Sequence, residues 1–125
     1  MKYCLLLLSL LFSLALYAQQ DSVNTENMRT KTGLATYYAK KFEGRKTTSG
    51  KKYRGHKLTA AHLSLPFGTV VTVKNLSNGK TVDVVVNDRG PYSKRYIIDL
   101  SEKAAKKLGF WKMGQEKVEI SYHIE

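Results

Sequence analysis

The chain has very few residues that could form covalent or metal cross-links. It contains one Cys in 125 residues, Cys4, which lies in an apolar N-terminal stretch. A disulfide framework, a Cys-based metal site and a Cys nucleophile are therefore excluded from the rest of the chain. Beyond the N-terminus the sequence also lacks any apolar run long enough to span a bilayer, so no transmembrane anchor is expected there.

The first eighteen residues predict a secretory signal. Lys2 gives a short positive start, the stretch from Leu5 to Leu16 is apolar, and Ala18 precedes the polar run Gln19–Asp21. An uncleaved membrane anchor is the alternative, but the apolar stretch is short for one. A lipoprotein needs a Cys at the cleavage point, so we expect an exported protein, periplasmic or secreted, that is not lipidated.

Acidic residues are scarce relative to basic ones. The chain has 21 Lys and Arg against 10 Asp and Glu, and removing residues 1–18 takes away only Lys2, which leaves 20 against 10, a net charge of +10. Such an excess attracts polyanions, including the cell wall, anionic lipid and nucleic acid, or merely keeps the protein soluble. No nucleic-acid partner is expected, because the basic residues are spread along the chain and export removes it from the cytoplasm.

The rest of the sequence predicts one mainly β domain. Residues 19–32 are polar without hydrophobic periodicity and predict a flexible lead, and residues 33–122 have the length of one domain. Alternating segments predict strands at 34–38, 69–74, 81–86 and 117–122, and Asn78-Gly79 predicts a hairpin over 69–86. Ser101 and Gly109 are suited to cap a helix, and a second helical turn is expected at 59–62. Many short strands with one or two short helices indicate a compact barrel.

Asp88 and His62 are the strongest candidates for chemistry. Asp88 follows the apolar run Val82–Val86, within Asn87-Asp-Arg-Gly-Pro91. It either pairs with Arg89, which lowers its pKa, or lies in an apolar cleft, which raises the pKa and makes it a general acid. His62 follows Leu58–Ala61 and is either a half-buried core residue or an active-site group. A metal site that also includes His56 is conceivable, but no pair has the spacing of zinc motifs, so we expect no metal and no cofactor.

Several segments together resemble the rare lipoprotein A family. They are Gly33–Tyr38, Phe42–Gly50, Leu58–His62, Leu65–Thr69, Val73–Leu76, Asn78-Gly79, Val86–Pro91 and Ile97–Ser101, and they cover about ninety residues in the family's order. The resemblance implies a six-stranded double-psi β-barrel, a fold shared with expansins, barwin-like proteins and some endoglucanases. It also implies a peptidoglycan lytic transglycosylase, which cuts glycan strands and leaves 1,6-anhydro-muramyl ends, in some members with a preference for strands without stem peptides.

The resemblance also implies roles for individual residues. Asp88 resembles the catalytic carboxylate, which first protonates the glycosidic oxygen and then takes the proton of the C6 hydroxyl, and His62 resembles the active-site His. Tyr side chains can stack on sugar rings, although some of them are ordinary packing residues. We expect the substrate-binding residues to be Tyr37, Tyr38, Thr48, Ser49, Lys51, Tyr53, Asn87, Arg89 and Tyr92. The partner expected is the peptidoglycan glycan strand, bound by a monomer.

One position departs from the family. Where members usually carry a Glu, eleven residues before the active-site His, this chain has Lys51. A positive charge in the cleft would oppose an oxocarbenium-like centre and hold Asp88 ionised. Glycan binding without cleavage, as in expansins, is therefore an alternative function, and Glu43 and Asp83 are considered as replacement acids.

Overall fold

The structure, a computed structural model, describes residues 26–125 as six strands and one α-helix. The strands are β1 (Met28–Tyr37), β2 (Thr59–Ala61), β3 (Val70–Asn75), β4 (Thr81–Asp88), β5 (Tyr96–Leu100) and β6 (Glu116–His123). A 3₁₀ turn, Lys40–Phe42, follows β1, and helix α1, Glu102–Leu108, lies between β5 and β6. No helix within residues 26–125 has the length and apolar character needed to cross a membrane. The predicted signal, residues 1–18, lies outside the described residues.

The six strands close into a barrel in the order β1-β5-β2-β4-β3-β6. The pairs β1–β5 and β2–β4 are parallel, and the other four pairs are antiparallel. Closure gives each strand two neighbours, which removes the exposed edges that a small open sheet would leave. The predicted fold class, a mainly β six-stranded barrel with one or two short helices, is confirmed.

The core follows from the alternation of apolar side chains along the strands. In β4, Val82, Val84 and Val86 are buried and Asp83 and Val85 are exposed, as expected for a strand with one face in the barrel. The interior includes the fully buried Ile98, Leu100, Phe110, Val118 and Ile120. Burial of this apolar surface is the main stabilising term for so small a domain.

Two local predictions are confirmed. Strands β3 and β4 form the antiparallel hairpin, with Val73 opposite Val82 and Gly79 at φ 77° in the turn, a conformation that glycine adopts without strain. The Ser101 side chain accepts a hydrogen bond from the Ala104 N–H at the start of α1, and Gly109 ends the helix in the left-handed conformation. Both features depend on short sequence signals, so they were predictable without knowledge of the barrel.

Two other predictions are wrong. The helical turn expected at residues 59–62 is instead strand β2, because Ala60 and Ala61 are buried between β4 and β5 and complete the sheet there. The flexible lead was expected to extend to Thr32, yet β1 begins at Met28. Residues 28–32 have exposed side chains, so they lack an apolar pattern, but their backbone pairs with the last strand, β6.

Candidate active site

Asp88 lies at the end of β4, where the chain turns through Arg89–Pro91 and borders an open cleft of about 600 Å³. A cleft of this size suits a small ligand or a few sugar units. Its lining combines aromatic, hydroxyl, cationic and carboxyl groups: Tyr38, Phe42, Arg45, Lys46, Thr47, Thr48, Tyr53, Asp88, Arg89, Gly90, Pro91, Tyr92, Ser93 and Asp99. Such a lining can hydrogen-bond sugar hydroxyls and stack against sugar rings.

Three donors hold the Asp88 carboxylate. Oδ2 accepts from the Tyr38 hydroxyl at 2.5 Å, and Oδ1 accepts from the backbone N–H groups of Thr48 at 2.8 Å and Arg89 at 2.9 Å. Desolvation alone would raise the pKa of Asp88, but the hydrogen bonds from Tyr38, Thr48 and Arg89 outweigh it and hold the pKa below its ordinary value. Asp88 is therefore ionised at neutral pH and can accept a proton.

Two stacked tyrosines form the floor of the cleft. The Tyr38 and Tyr53 rings lie 4.2 Å apart, both side chains are buried, and Ala61 packs against them. The Tyr53 hydroxyl accepts a hydrogen bond from the Glu102 N–H at the start of α1. Burial, and then the hydrogen bond to Asp88, raise the pKa of Tyr38 far above its ordinary value, so its hydroxyl remains a proton-bearing donor to the carboxylate.

Asp99, a second carboxyl group in the cleft, is the residue that sequence reasoning missed. It was included only in the segment Ile97–Ser101 of the family resemblance, without a role, yet in β5 it borders the same cleft as Asp88. Burial, and then the negative charge of Asp88, raise the pKa of Asp99 to about 7. The available signal was an acidic residue within the otherwise apolar run Ile97–Leu100, which is unusual for a barrel strand.

His62 lies beside Asp88 in the backbone, but its ring is not part of the cleft lining. The His62 N–H donates to the Asp88 carbonyl at 3.1 Å, whereas its Nδ1 accepts from the N–H groups of Ser64 and Leu65, both at 3.1 Å. Desolvation, then the charges of Lys31 and Arg89, lower the pKa of His62. The ring is therefore neutral at pH 7 and is occupied in ordering the loop after β2.

Arg89 does not form the ion pair with Asp88 that was considered from the sequence. Its guanidinium donates to the carbonyls of His62 at 3.2 Å and Leu65 at 2.8 Å, and lies 4.1 Å from the centre of the Phe67 ring. Only the backbone N–H of Arg89 contacts the Asp88 carboxylate. The low pKa of Asp88 thus comes from neutral donors, while the Arg89 side chain ties the loop after β2 to the end of β4.

The structure brings five of the nine predicted binding residues to the cleft: Tyr38, Thr48, Tyr53, Arg89 and Tyr92. Tyr92 is 79% exposed and offers its ring at the rim. Tyr37, Ser49, Lys51 and Asn87 lie outside the lining. Strand alternation turns Tyr37 away from Tyr38, so that its ring packs against Trp111 at a tilt of 43° with the ring centres 4.6 Å apart. The Ser49 hydroxyl bonds Thr47 at 2.8 Å.

Lys51 is exposed, and its backbone N–H and carbonyl bond Ser49 and Thr47 within the same loop. The two replacement acids considered from the sequence also lie outside the cleft lining. Asp83 faces outward from β4 and accepts from the Thr72 hydroxyl at 2.6 Å. Glu43 accepts from the Gly55 N–H at 2.8 Å and borders a neighbouring pocket.

The conceivable metal set of His56, His62 and Asp88 is not assembled. His56 borders the neighbouring pocket with Glu43, and the His62 Nδ1 is occupied by backbone donors. Among residues 26–125, no three His, Cys, Asp or Glu side chains converge on a point that could hold a metal ion.

The family described as Lytic transglycolase matches residues 30–120. The endolytic peptidoglycan transglycosylase RlpA of Neisseria meningitidis serogroup A is 50% identical over 91 residues, which cover 73% of this chain and 38% of that protein. RlpA of Haemophilus influenzae is 46% identical over 99 residues, covering 79% of this chain and 34% of that protein. The chain thus spans little more than a third of the length of these relatives.

Solved structures agree on the fold. The Streptomyces papain inhibitor superposes with a TM-score of 0.60 at 26% identity, covering 74% of this chain and 94% of the inhibitor. The apo expansin of Clavibacter michiganensis superposes with a TM-score of 0.62 at 23% identity, covering 78% of this chain and 52% of the expansin. At that identity the expansin likeness concerns the architecture alone.

Proposed function

The chain belongs to the lytic transglycolase family and has its double-psi β-barrel, and from this premise we propose that it cleaves the glycan strands of peptidoglycan by lytic transglycosylation. The observation that carries the proposal is an ionised Asp88 in an open cleft, held by Tyr38 and two backbone N–H groups. The reaction leaves a 1,6-anhydro-muramyl end on one fragment and a free 4-hydroxyl on the other.

Lytic transglycosylation needs a base in a fixed position, and the hydrogen-bonded Asp88 carboxylate meets this need. In lytic transglycosylation the C6 hydroxyl of the muramyl unit attacks its own C1, so no water enters, and a base must take the hydroxyl proton. Asp88 is available to accept that proton because the hydrogen bonds from Tyr38, Thr48 and Arg89 outweigh desolvation, lower its pKa and keep it ionised. Its three donors also fix the direction of the carboxylate, which keeps the reacting atoms aligned.

The rest of the cleft supports a glycan substrate. Tyr92 offers an exposed ring for stacking, and the backbone and hydroxyl of Thr48 lie beside the carboxylate. Arg45 and Lys46 add positive charge, which suits the carboxylate-bearing muramyl units. His62 supports the site through its backbone, because its N–H and carbonyl bond the backbone of Asp88 and the side chain of Arg89.

The proposed substrate also bears on where the protein acts. Peptidoglycan lies outside the cytoplasmic membrane, so the substrate requires export, in agreement with the signal predicted at residues 1–18. We propose a periplasmic or secreted monomer without a lipid anchor, which finds the wall through its barrel and its positive charge.

Glycan binding without cleavage was the alternative because Lys51 replaces an acid. Lys51 is exposed, and it does not line the cleft in which Asp88 lies. Lys51 therefore does not place a positive charge beside Asp88 in the cleft, and we favour the enzyme over the binding module.

The test is product analysis on purified peptidoglycan, with and without stem peptides. The mature protein should release 1,6-anhydro-muramyl products detectable by mass spectrometry, an Asp88→Asn variant should release at least a hundredfold less, and Asp83→Asn, an exposed carboxyl on the same strand, should match wild type. Saturable glycan binding without anhydro products from wild type would instead establish the binding module. Reducing ends without the anhydro bond would establish a hydrolase and reject the transglycosylase.

A further inference from the structure

Strand β2 brings Asp88 and Asp99 together although they belong to strands that do not pair. Ala61 is opposite Asp88 of β4 on one side and opposite Asp99 of β5 on the other. Neighbouring strands lie about 4.8 Å apart and laterally paired residues face the same side, so the two aspartates lie on one face about 10 Å apart at the backbone. Ala61 has only a methyl group between them and is buried. Both carboxyl groups can therefore reach a substrate bound across Ala61, and both border the cleft.

The two carboxyl groups have opposite surroundings. Asp88 accepts three hydrogen bonds, whereas the Oδ1 of Asp99 is buried and has no hydrogen-bond partner among the described residues. A buried acceptor without a donor is costly, and a buried carboxylate without one is costlier, so this position favours the neutral acid.

The charged groups around Asp99 agree with this assignment. Asp88 on β4 is negative, and the hydroxyls of Tyr38, just after β1, and of Tyr53, in the segment before β2, are neutral. The cleft cations are Arg45, Lys46 and Arg89, of which Arg89 is bonded to carbonyl groups. Within residues 26–125, the ion pairs present, Arg54–Glu43 and Lys106–Glu102, leave out both aspartates.

We propose that Asp99 is the proton donor of the reaction and that Asp88 is its base, so that two carboxyl groups share the work that the family resemblance gives to one. The inference rests on the proposed function. The Asp99 carboxyl protonates the glycosidic oxygen as the bond from that oxygen to C1 breaks. The C6 oxygen bonds to C1, and its proton passes to Asp88.

The step balances and the site resets without another reagent. After bond exchange Asp99 is a carboxylate and Asp88 carries a proton, and the glycan has gained one free 4-hydroxyl and one anhydro ring. Transfer of the proton from Asp88 to Asp99 through solvent restores the starting state. The arrangement follows a general rule for acid–base pairs, in which the environments of two like groups separate their proton affinities.

The discriminating experiment changes the leaving group. Two substrates are compared: peptidoglycan glycan, whose leaving sugar needs a proton, and a 4-nitrophenyl glycoside of the N-acetylglucosaminyl-N-acetylmuramic acid disaccharide, whose leaving phenolate does not. We expect Asp99→Asn to lose about 10²- to 10⁴-fold on glycan but to stay within tenfold of wild type on the aryl glycoside. Asp88→Asn should lose activity on both substrates, because the C6 proton must still be removed.

Controls separate this proposal from its premise. Asp83→Asn should match wild type on both substrates, and thermal unfolding should confirm that each variant is folded. On the aryl glycoside, wild type and Asp99→Asn should show the same acid limb, set by Asp88. Equal losses on both substrates for Asp99→Asn, or full activity on glycan, would overturn the assignment of Asp99. Failure of wild type to form anhydro products would instead overturn the proposed function.

Discussion

Replacing Asp99 with Asn should stabilise the protein while it inactivates the enzyme, and the gain should depend on pH. Burial and the charge of Asp88 raise the pKa of Asp99 in the folded protein from 3.8 to about 7. Between these values the unfolded chain releases the proton and the folded protein keeps it, so rising pH favours unfolding of wild type. At about 1.4 kcal/mol per pKa unit, wild type loses about 4 kcal/mol in total across this window.

The Asn side chain does not titrate, so the free energy of unfolding of the variant does not fall in this way as the pH rises. We expect wild type and Asp99→Asn to have similar free energies of unfolding at pH 4, and the variant to be more stable by up to about 4 kcal/mol at pH 8. Urea unfolding at pH 4, 6 and 8 measures the difference. Asp88 and His62, whose folded pKa values are both lowered, favour the folded state at higher pH in both proteins and cancel to first order.

Asp83→Asn provides the matched control because Asp83 is exposed and lies outside the cleft. Its difference from wild type should stay within about 0.5 kcal/mol at every pH. A stability difference between wild type and Asp99→Asn that is constant from pH 4 to pH 8 would refute the reasoning, since it would mean that Asp99 ionises normally in the folded barrel.

Three further changes test other contacts. Tyr38→Phe removes the shortest hydrogen bond to Asp88, so the pKa of Asp88 should rise and the acid limb of the pH–rate profile should move to higher pH; an unchanged limb would contradict this role. Lys51→Glu should change the rate on glycan less than threefold, because Lys51 lies outside the cleft lining, and a tenfold gain would show that it acts on the site. Asn75→Ala should cost about 1–3 kcal/mol in urea unfolding, because Asn75 is buried and its side chain bonds the Leu108 carbonyl; a loss under 0.5 kcal/mol would argue against that bond.

The parts of the fold predictable from sequence are those encoded by neighbouring residues. The hairpin follows from Asn78-Gly79 and helix α1 from its two caps, and both signals lie within a few residues. Strand β2 was misinterpreted because Thr59–Ala61 is short and Ala favours helices. Its strand form comes from pairing with β4 and β5, which are distant in sequence, and such tertiary context overrides local propensity.

The contrast between neighbouring and distant residues also explains which parts of the candidate site could be predicted from the sequence. Asp88 could be identified from its motif, but its proton affinity depends on Tyr38, fifty residues away, and on the loop containing Thr48. Asp99 could not be assigned a role without knowing that β2 lies between β4, which carries Asp88, and β5, which carries Asp99. The His62 N–H bonds the Asp88 carbonyl, whereas the direction of its ring depends on the loop that follows it.

The pairing of the first and last strands determines where a tether could be attached to this barrel. Met28 is opposite His123, the Ile124 N–H bonds the Asn27 carbonyl at 2.9 Å, and Tyr38, beyond the other end of β1, lies in the cleft. Tyr122, next to His123, has its ring centre 6.4 Å from that of His62, and the His62 N–H bonds the Asp88 carbonyl, so this pole of the barrel also lies near the cleft. A tether fused at either end would therefore leave from the same pair of strands, and it should be long so that an immobilised barrel can still admit an extended polymer.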